Sequence, residues 1–227
     1  DAQIFSTARL PRALPAALVG GTLAAAGVVF QGLLRNPLAT PYTLGVSAGA
    51  SLGAMVAITF GAAWAIGGVA SASLAGAFLA VAIVYALASA RHRGLSTTVL
   101  LLAGVTLNAF FSALILFVQY LSDFAQTFRA LRWLMGDLDV ASYAPILYAL
   151  PLVAIAFAAF IWLARPLNLL SIGTEAASTR GVPVVRAQRV AFFSASLATG
   201  AAVSVGGPIG FVGIIVPHLV RLMVGAD

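Results

Sequence analysis

Apolar residues run almost without interruption along this chain, and polar ones gather in short clusters between the runs. A helix needs roughly 20 residues to cross about 30 Å of hydrocarbon, and on that ruler the pattern predicts an all-α polytopic membrane protein with about seven segments. They read as Arg12 to Leu34, Tyr42 to Phe60, Ala62 to Ala90, Thr97 to Leu121, Tyr143 to Ala164, Val190 to Val205 and Phe211 to Val224. The second and the last two are short, a pattern that fits broken helices around a transport path and plain Gly/Pro-rich packing equally. Between the fourth and fifth segments, Phe124, Phe128, Leu131 and Met135 share one face of a short helix expected at an interface, as an anchor or as a lid. The polar stretch from Leu170 to Pro183 predicts a second short helix. Ser171 or Thr174 is its candidate cap, Glu175 lies in its first turn, and Gly181 with Pro183 ends it.

Composition narrows the function. Only 8% of the 227 residues are charged and 62% are apolar, whereas a soluble domain carries about a quarter charged residues. The net charge of +6 comes from twelve arginines against six acids, with neither lysine nor cysteine, so thiol and disulfide chemistry are excluded. The arginines stand singly or in pairs between apolar runs, which is where juxtamembrane charges belong; nucleic acid is not an expected partner. Charge is expected at the ends of the runs and not inside them, so no relay of the kind used by proton- or ion-coupled carriers is evident. His92 and His218 are too few for a zinc site and have no acid placed to orient them for hydrolysis. No catalytic residue, metal ligand or cofactor site of the chain's own is expected.

Threading the segments alternately puts Arg9, Arg12, Arg129 and Arg132 on one side with Asp1, Asp123, Asp137 and Asp139. The other side collects Arg35, Arg91, Arg93, Arg165, Arg180, Arg186, Arg189 and Arg221 against Glu175 and Asp227. The positive-inside rule makes that second side cytoplasmic. The chain begins with Asp1 and stops just after an apolar run, so both ends read as cuts through a longer polypeptide.

Four local patterns stand out. Arg9-Leu-Pro-Arg12 leads into the first segment and Arg186-Ala-Gln-Arg189 into the sixth, on opposite sides, as an inverted repeat requires. Gly45, Gly49 and Gly53 form a flat strip for helix packing. Asn108, Ser112 and Gln119 share a face of the fourth segment, which suits either interhelical hydrogen bonds or the lining of a water-filled path. Two prolines within Arg35 to Pro41 predict a rigid, extended turn.

Glu175-Ala176-Ala177 followed by Gly181 resembles the coupling loop of ABC importer permeases. More specific are Gln31, Asn36-Pro37-Leu38-Ala39, Leu44-Gly45-Val46-Ser47, Leu95-Ser96-Thr97, Trp133-Leu134-Met135-Gly136, Arg165-Pro166-Leu167-Asn168 and Gly210-Phe211-Val212-Gly213 with Val216-Pro217-His218. Over essentially the whole chain these resemble the FecCD type, the permeases for vitamin B12, haem and ferric siderophores.

The resemblance implies a single transmembrane permease domain over 1–227, with about seven of ten helices present, inverted repeats, and a cytoplasmic coupling loop at about 166–189. It implies a second permease copy, two ATP-binding subunits that hold the ATP, a periplasmic or lipid-anchored substrate-binding protein, and a bacterial inner membrane. By position it assigns Arg9 and Arg12 to docking of the binding protein, and Asn36, Leu38, Thr97 and Thr98 to the cytoplasmic gate. Thr174, Glu175, Ala176, Ala177, Arg180 and Gly181 fall to the ATPase contact. A secondary transporter or channel without an ATPase is the alternative function.

Overall fold

The computed structural model describes residues 9–61, 68–90, 95–138 and 143–225. Among them every regular element is a helix: α1 (Leu10–Leu34), α2 (Val46–Phe60), α3 (Gly68–Ser89), α4 (Thr97–Tyr120), α5 (Phe124–Leu134), α6 (Ala144–Ile172), α7 (Thr174–Thr179), α8 (Val184–Gly206) and α9 (Val212–Val224). By length and composition α1, α3, α4, α6 and α8 can each cross a membrane, and α2 and α9 are shorter apolar helices. These seven are the seven expected segments.

The boundaries differ in instructive places. The sixth segment is not short: α8 begins at Val184, because its first two turns stay helical while carrying Arg186 and Arg189. The fifth runs two turns past Ala164 to Ile172, although Pro166 removes a backbone N–H. Leu167 and Leu170 on that extension are buried, and their packing outweighs the lost rung. The flanking helices thereby enter both ends of 166–189, leaving 173–183 to link them. The turn after α1 is not extended. Arg35 is left-handed (φ 50°), the Asn36 side chain accepts from the Leu38 N–H at 3.0 Å, and the Asn36 carbonyl accepts from Ala39 at 3.0 Å, so a local Asx turn curls the chain.

The interior is knit by small residues. A Cβ on Gly49 would lie 2.5 Å from the Gly76 carbonyl oxygen, and one on Gly53 would collide with the carbonyl of Ala72. Hence α2 and α3 touch backbone to backbone, which dispersion between close-packed helices favours inside a bilayer. Gly45 leaves the expected strip. It starts α2 at φ 75° and faces Gly104 of α4. Helices α1 and α8 are antiparallel, since Val19 and Leu23 early in α1 pack with Ala202 late in α8.

Two non-helical stretches, 36–45 and 207–211, meet inside the bundle. The Tyr42 hydroxyl donates to the Ile209 carbonyl at 2.5 Å, and Pro41 lies against Gly213. Non-helical backbone at membrane depth is tolerable only when protein covers it and supplies its hydrogen bonds, as around buried Pro41 and the Tyr42–Ile209 bond.

Candidate functional site

The bundle has two chemically distinct ends. Gln31, Arg35, Asn168, Ser171 and Arg221 line one open cavity of about 910 Å³ between α1, α6 and α9. That places the end of α1, the end of α6 and the last turns of α9 together, and α7 with the start of α8 follows directly. Among the described residues this end holds Arg35, Arg165, Arg180, Arg186, Arg189 and Arg221 against Glu175. At the opposite end the Thr59 and Ser122 hydroxyls bond at 2.8 Å, Gln126 donates to the Thr59 carbonyl at 2.9 Å, and Arg132 pairs with Asp137 at 2.8 Å. Among the described residues that end holds Arg9, Arg12, Arg129 and Arg132 against Asp123 and Asp137. The charge asymmetry read along the sequence is thus an asymmetry of the folded body.

At this less basic end, Arg9 occupies the N-cap position of α1 and Arg12 its first turn, with buried Pro11 between them. Both guanidinium-bearing residues are exposed, one turn apart. Nearby α5 is a capped surface helix. The Asp123 carboxylate accepts from the Gln126 N–H at 2.7 Å while the Gln126 side chain accepts from the Asp123 N–H at 2.9 Å, a reciprocal capping box. Its expected apolar face is bare, with Phe124 90% and Met135 84% exposed.

At the basic end, α7 carries Thr174, Glu175, Ala176 and Ala177. No side chain caps it. Ser171 belongs to α6 and bonds the Asn168 carbonyl, and Gly173 is the cap residue, so the expected cap by Ser171 or Thr174 is not formed. Its far end is as expected. Gly181 is left-handed (φ 79°) and donates to the Ser178 carbonyl at 3.0 Å, while Val182 donates to the Ala177 carbonyl at 3.1 Å. This is a Schellman stop. It turns Arg180 and Glu175 outward and buries Ala177, which anchors the short helix to the bundle.

Asn36 is half-buried on the cavity wall, whereas Leu38 is 68% exposed. Thr97 and Thr98 sit in the first turn of α4, where the Ser96 side chain accepts from the Val99 N–H. No hydrogen bond joins the two groups among the described residues. Along α4, Asn108 and Ser112 are exposed and Gln119 is half-buried. Ser112 bonds the Asn108 carbonyl of its own helix at 2.8 Å. The stripe flanks the buried face of α4 formed by Leu100, Leu107 and Phe111.

Charge does occur inside one apolar run, contrary to expectation. Arg221 lies in the last turn of α9 and donates to Gln31 Oε1 at 2.6 Å, and buried Gln31 in turn donates to the Gly213 carbonyl at 3.3 Å. The four-residue spacings Gly27 to Gln31 and Gly213 to Pro217 to Arg221 are the sequence signal for this linkage. The residues that could hold a metal form no group of three or more among those described. His218 is exposed on α9, and His92 lies outside the described residues.

Fold and surface together define a multi-pass helical membrane protein with a positively charged end. The FecCD transport family matches residues 1–227, and the chain belongs to that family. It is 44% identical over 224 residues to the cobalamin import system permease protein BtuC of Halobacterium salinarum, covering 99% of this chain and 60% of that protein. It is 39% identical over 230 residues to the hemin transport system permease protein HmuU of Yersinia pestis, covering 99% of this chain and 68% of that protein. Among solved structures, a metal-chelate type ABC transporter in an inward-facing conformation matches with TM-score 0.89 and 34% identity, over 100% of this chain and 71% of that one. The chain thus spans about 60% of the length of the Halobacterium relative.

Proposed function

We propose that this chain forms the larger part of the single membrane-spanning permease domain of an ATP-driven importer for cobalamin, haem or a ferric siderophore. The observation that carries the proposal is the Schellman-stopped helix α7, held out at the basic end on a whole-length match to the FecCD family. In this reading the basic end is cytoplasmic in a bacterial inner membrane. Two ATP-binding subunits bind and hydrolyse ATP and push on Thr174, Glu175, Ala176, Ala177, Arg180 and Gly181. The chain itself needs no cofactor and catalyses no covalent step.

The remaining surfaces then take complementary roles. Two copies meet around a central path faced by Asn108, Ser112 and Gln119, whose polarity suits water and whose lack of charge avoids trapping a large chelate. Asn36 and Leu38 with Thr97 and Thr98 close that path at the cytoplasmic end. A substrate-binding protein docks its carboxylates on Arg9 and Arg12 at the other end, where paired guanidiniums suit bidentate capture and release. Alternating access follows from tilts of the helices that flank α7.

The test is uptake of labelled cobalamin, haem and ferric siderophore into proteoliposomes holding the full-length assembly, with wild-type permease and Glu175→Arg. Glu175 is exposed, so folding should be unaffected within about 0.5 kcal/mol. ATP-dependent uptake of one chelate, lost in the variant, is the expected outcome. Uptake at the wild-type rate with ATPase still bound would refute the coupling role. Uptake independent of ATP would move the protein to the secondary-transporter class.

A further inference from the structure

The linkage between α1 and α9 has a reason visible in the chain. In an uninterrupted α9 the Gly213 carbonyl would accept from the N–H of residue 217, four positions on. Residue 217 is proline, which has no N–H, so that carbonyl is left without its helical partner in a buried place. Gln31 of α1 fills the gap with its amide N–H, at 3.3 Å, and is itself only 5% exposed. Its amide orientation follows from chemistry. A carbonyl only accepts and a guanidinium only donates, so Nε2 must face Gly213 and Oε1 must face Arg221, as observed at 2.6 Å.

Two glycines bring the parts within reach. A Cβ on Gly27, one turn before Gln31, would collide with the Gly213 backbone, so α1 and α9 touch at that level. One turn further along each helix stand Gln31 and Pro217, and one turn beyond Pro217 stands Arg221. Gln31, Pro217 and Arg221 all line the cavity of about 910 Å³. One of the rungs that join the half of α9 beyond Pro217 to the half before it is therefore missing, and a tie to a neighbouring helix stands in its place.

We propose that Pro217 is a hinge in α9 and that Gln31 is the pin that positions it. The half beyond Pro217 swings on the Gly27–Gly213 contact, and the Arg221–Gln31 bond sets its resting angle against the cavity. A rung made by a side chain can yield and re-form where a backbone rung would hold the helix straight. This goes beyond the assigned gate and docking residues, none of which lies on α9; only its transport arm rests on the importer reading.

A double-mutant cycle on the full-length permease tests it. Gln31→Met should lower the apparent melting temperature by roughly 3 °C, because a buried carbonyl and a guanidinium both lose their partner. Pro217→Ala restores the backbone donor, so the same Gln31→Met in that background should lose at most half as much. If Gln31→Met alone does not accumulate, recovery of folded protein in the double variant is the expected result. Equal losses in both backgrounds, or no recovery, would overturn the pin. Pro217→Ala should also slow transport by the complete assembly without lowering its melting temperature. A wild-type transport rate in Pro217→Ala would overturn the hinge while leaving the importer reading intact.

Discussion

Helices α1 and α2 can be set beside α8 and α9. Each pair opens with two arginines three residues apart near the start of its long helix, breaks after that helix into an irregular stretch, and resumes as a short helix from a left-handed residue, Gly45 or Phe211. Their long helices run antiparallel, so the same local design serves both ends of the bundle, as an inverted repeat would have it. What differs is the short helix. Ten residues of α2 are buried, and its glycines press on α3 along two turns; within this chain only Gly213 and Pro217 of α9 are buried, and it approaches α1 backbone to backbone at Gly213 alone. Within this chain one short helix is a strut packed along its length and the other an arm held on its α1 side.

The sharpest way to break this comparison is to place the same large side chain in each seam. Gly53→Leu drives a side chain into the Ala72 carbonyl between two helices that cannot separate, and should destabilise the protein by about 3 kcal/mol, enough to prevent accumulation of folded permease. Gly27→Leu pushes α9 away from α1 at a single level. It should leave folded protein in which cysteines introduced on α9 react faster. Gly21→Leu, with nothing within 4 Å of its Cβ position, is the control and should lie within about 0.5 kcal/mol of wild type. Detergent-resistant monodisperse yield and thermal unfolding measure all three. Equal losses from Gly53→Leu and Gly27→Leu would erase the distinction between strut and arm.

The arginine pairs sharpen the comparison from the outside. Arg186 sits over the Trp162 ring at 5.8 Å from its centroid, within the bundle's own contacts. Arg9 and Arg12 are exposed at the opposite end. On the proposed docking role, reversing Arg9 and Arg12 to Glu should weaken association with a substrate-binding protein roughly tenfold at low salt, with the difference shrinking as salt rises. The same reversal at Arg186 and Arg189 should leave that association unchanged. Titration of purified permease with binding protein at two ionic strengths reads both. Unchanged affinity of the first double variant at low salt would return Arg9 and Arg12 to holding the helix end.

These contrasts explain what the sequence could and could not reveal. Hydropathy located all seven apolar helices, because the bilayer imposes one length on nearly every segment. Gly181 was legible as a stop because a left-handed C′ residue is a local need, and the capped surface helix α5 was legible from its four-residue apolar spacing. Where α6 and α8 begin and end was less legible, because Leu167, Leu170 and Ala187 are kept helical by partners remote in sequence. The extended turn at Arg35 to Pro41 failed for a different reason: the Asn36 side chain competes for local backbone donors. The tie from Arg221 to Gln31 was not legible, because the two lie 190 residues apart. Sequence patterns give the faces of helices; which faces meet is decided in three dimensions.

The smallest effect concerns the left-handed residue that starts each short helix. Gly45 adopts φ 75° without penalty, whereas Phe211 holds φ 65° with a full side chain, a conformation that brings Cβ against the following carbonyl. The Phe211 ring is 72% exposed and does not repay that strain by burial within the chain. If the two starts are equivalent pieces of one design, Phe211→Gly should make the second resemble the first and raise stability by about 1 kcal/mol, set against the extra freedom glycine gives the unfolded chain. Gly45→Phe should do the reverse and lose more, because its Cβ position lies 3.3 Å from the Gly104 carbonyl oxygen as well as at positive φ. Thermal unfolding of the two variants side by side decides the matter. A loss of stability in Phe211→Gly would mean that the ring packs on something outside this chain, and that the arm carries a contact the strut does not.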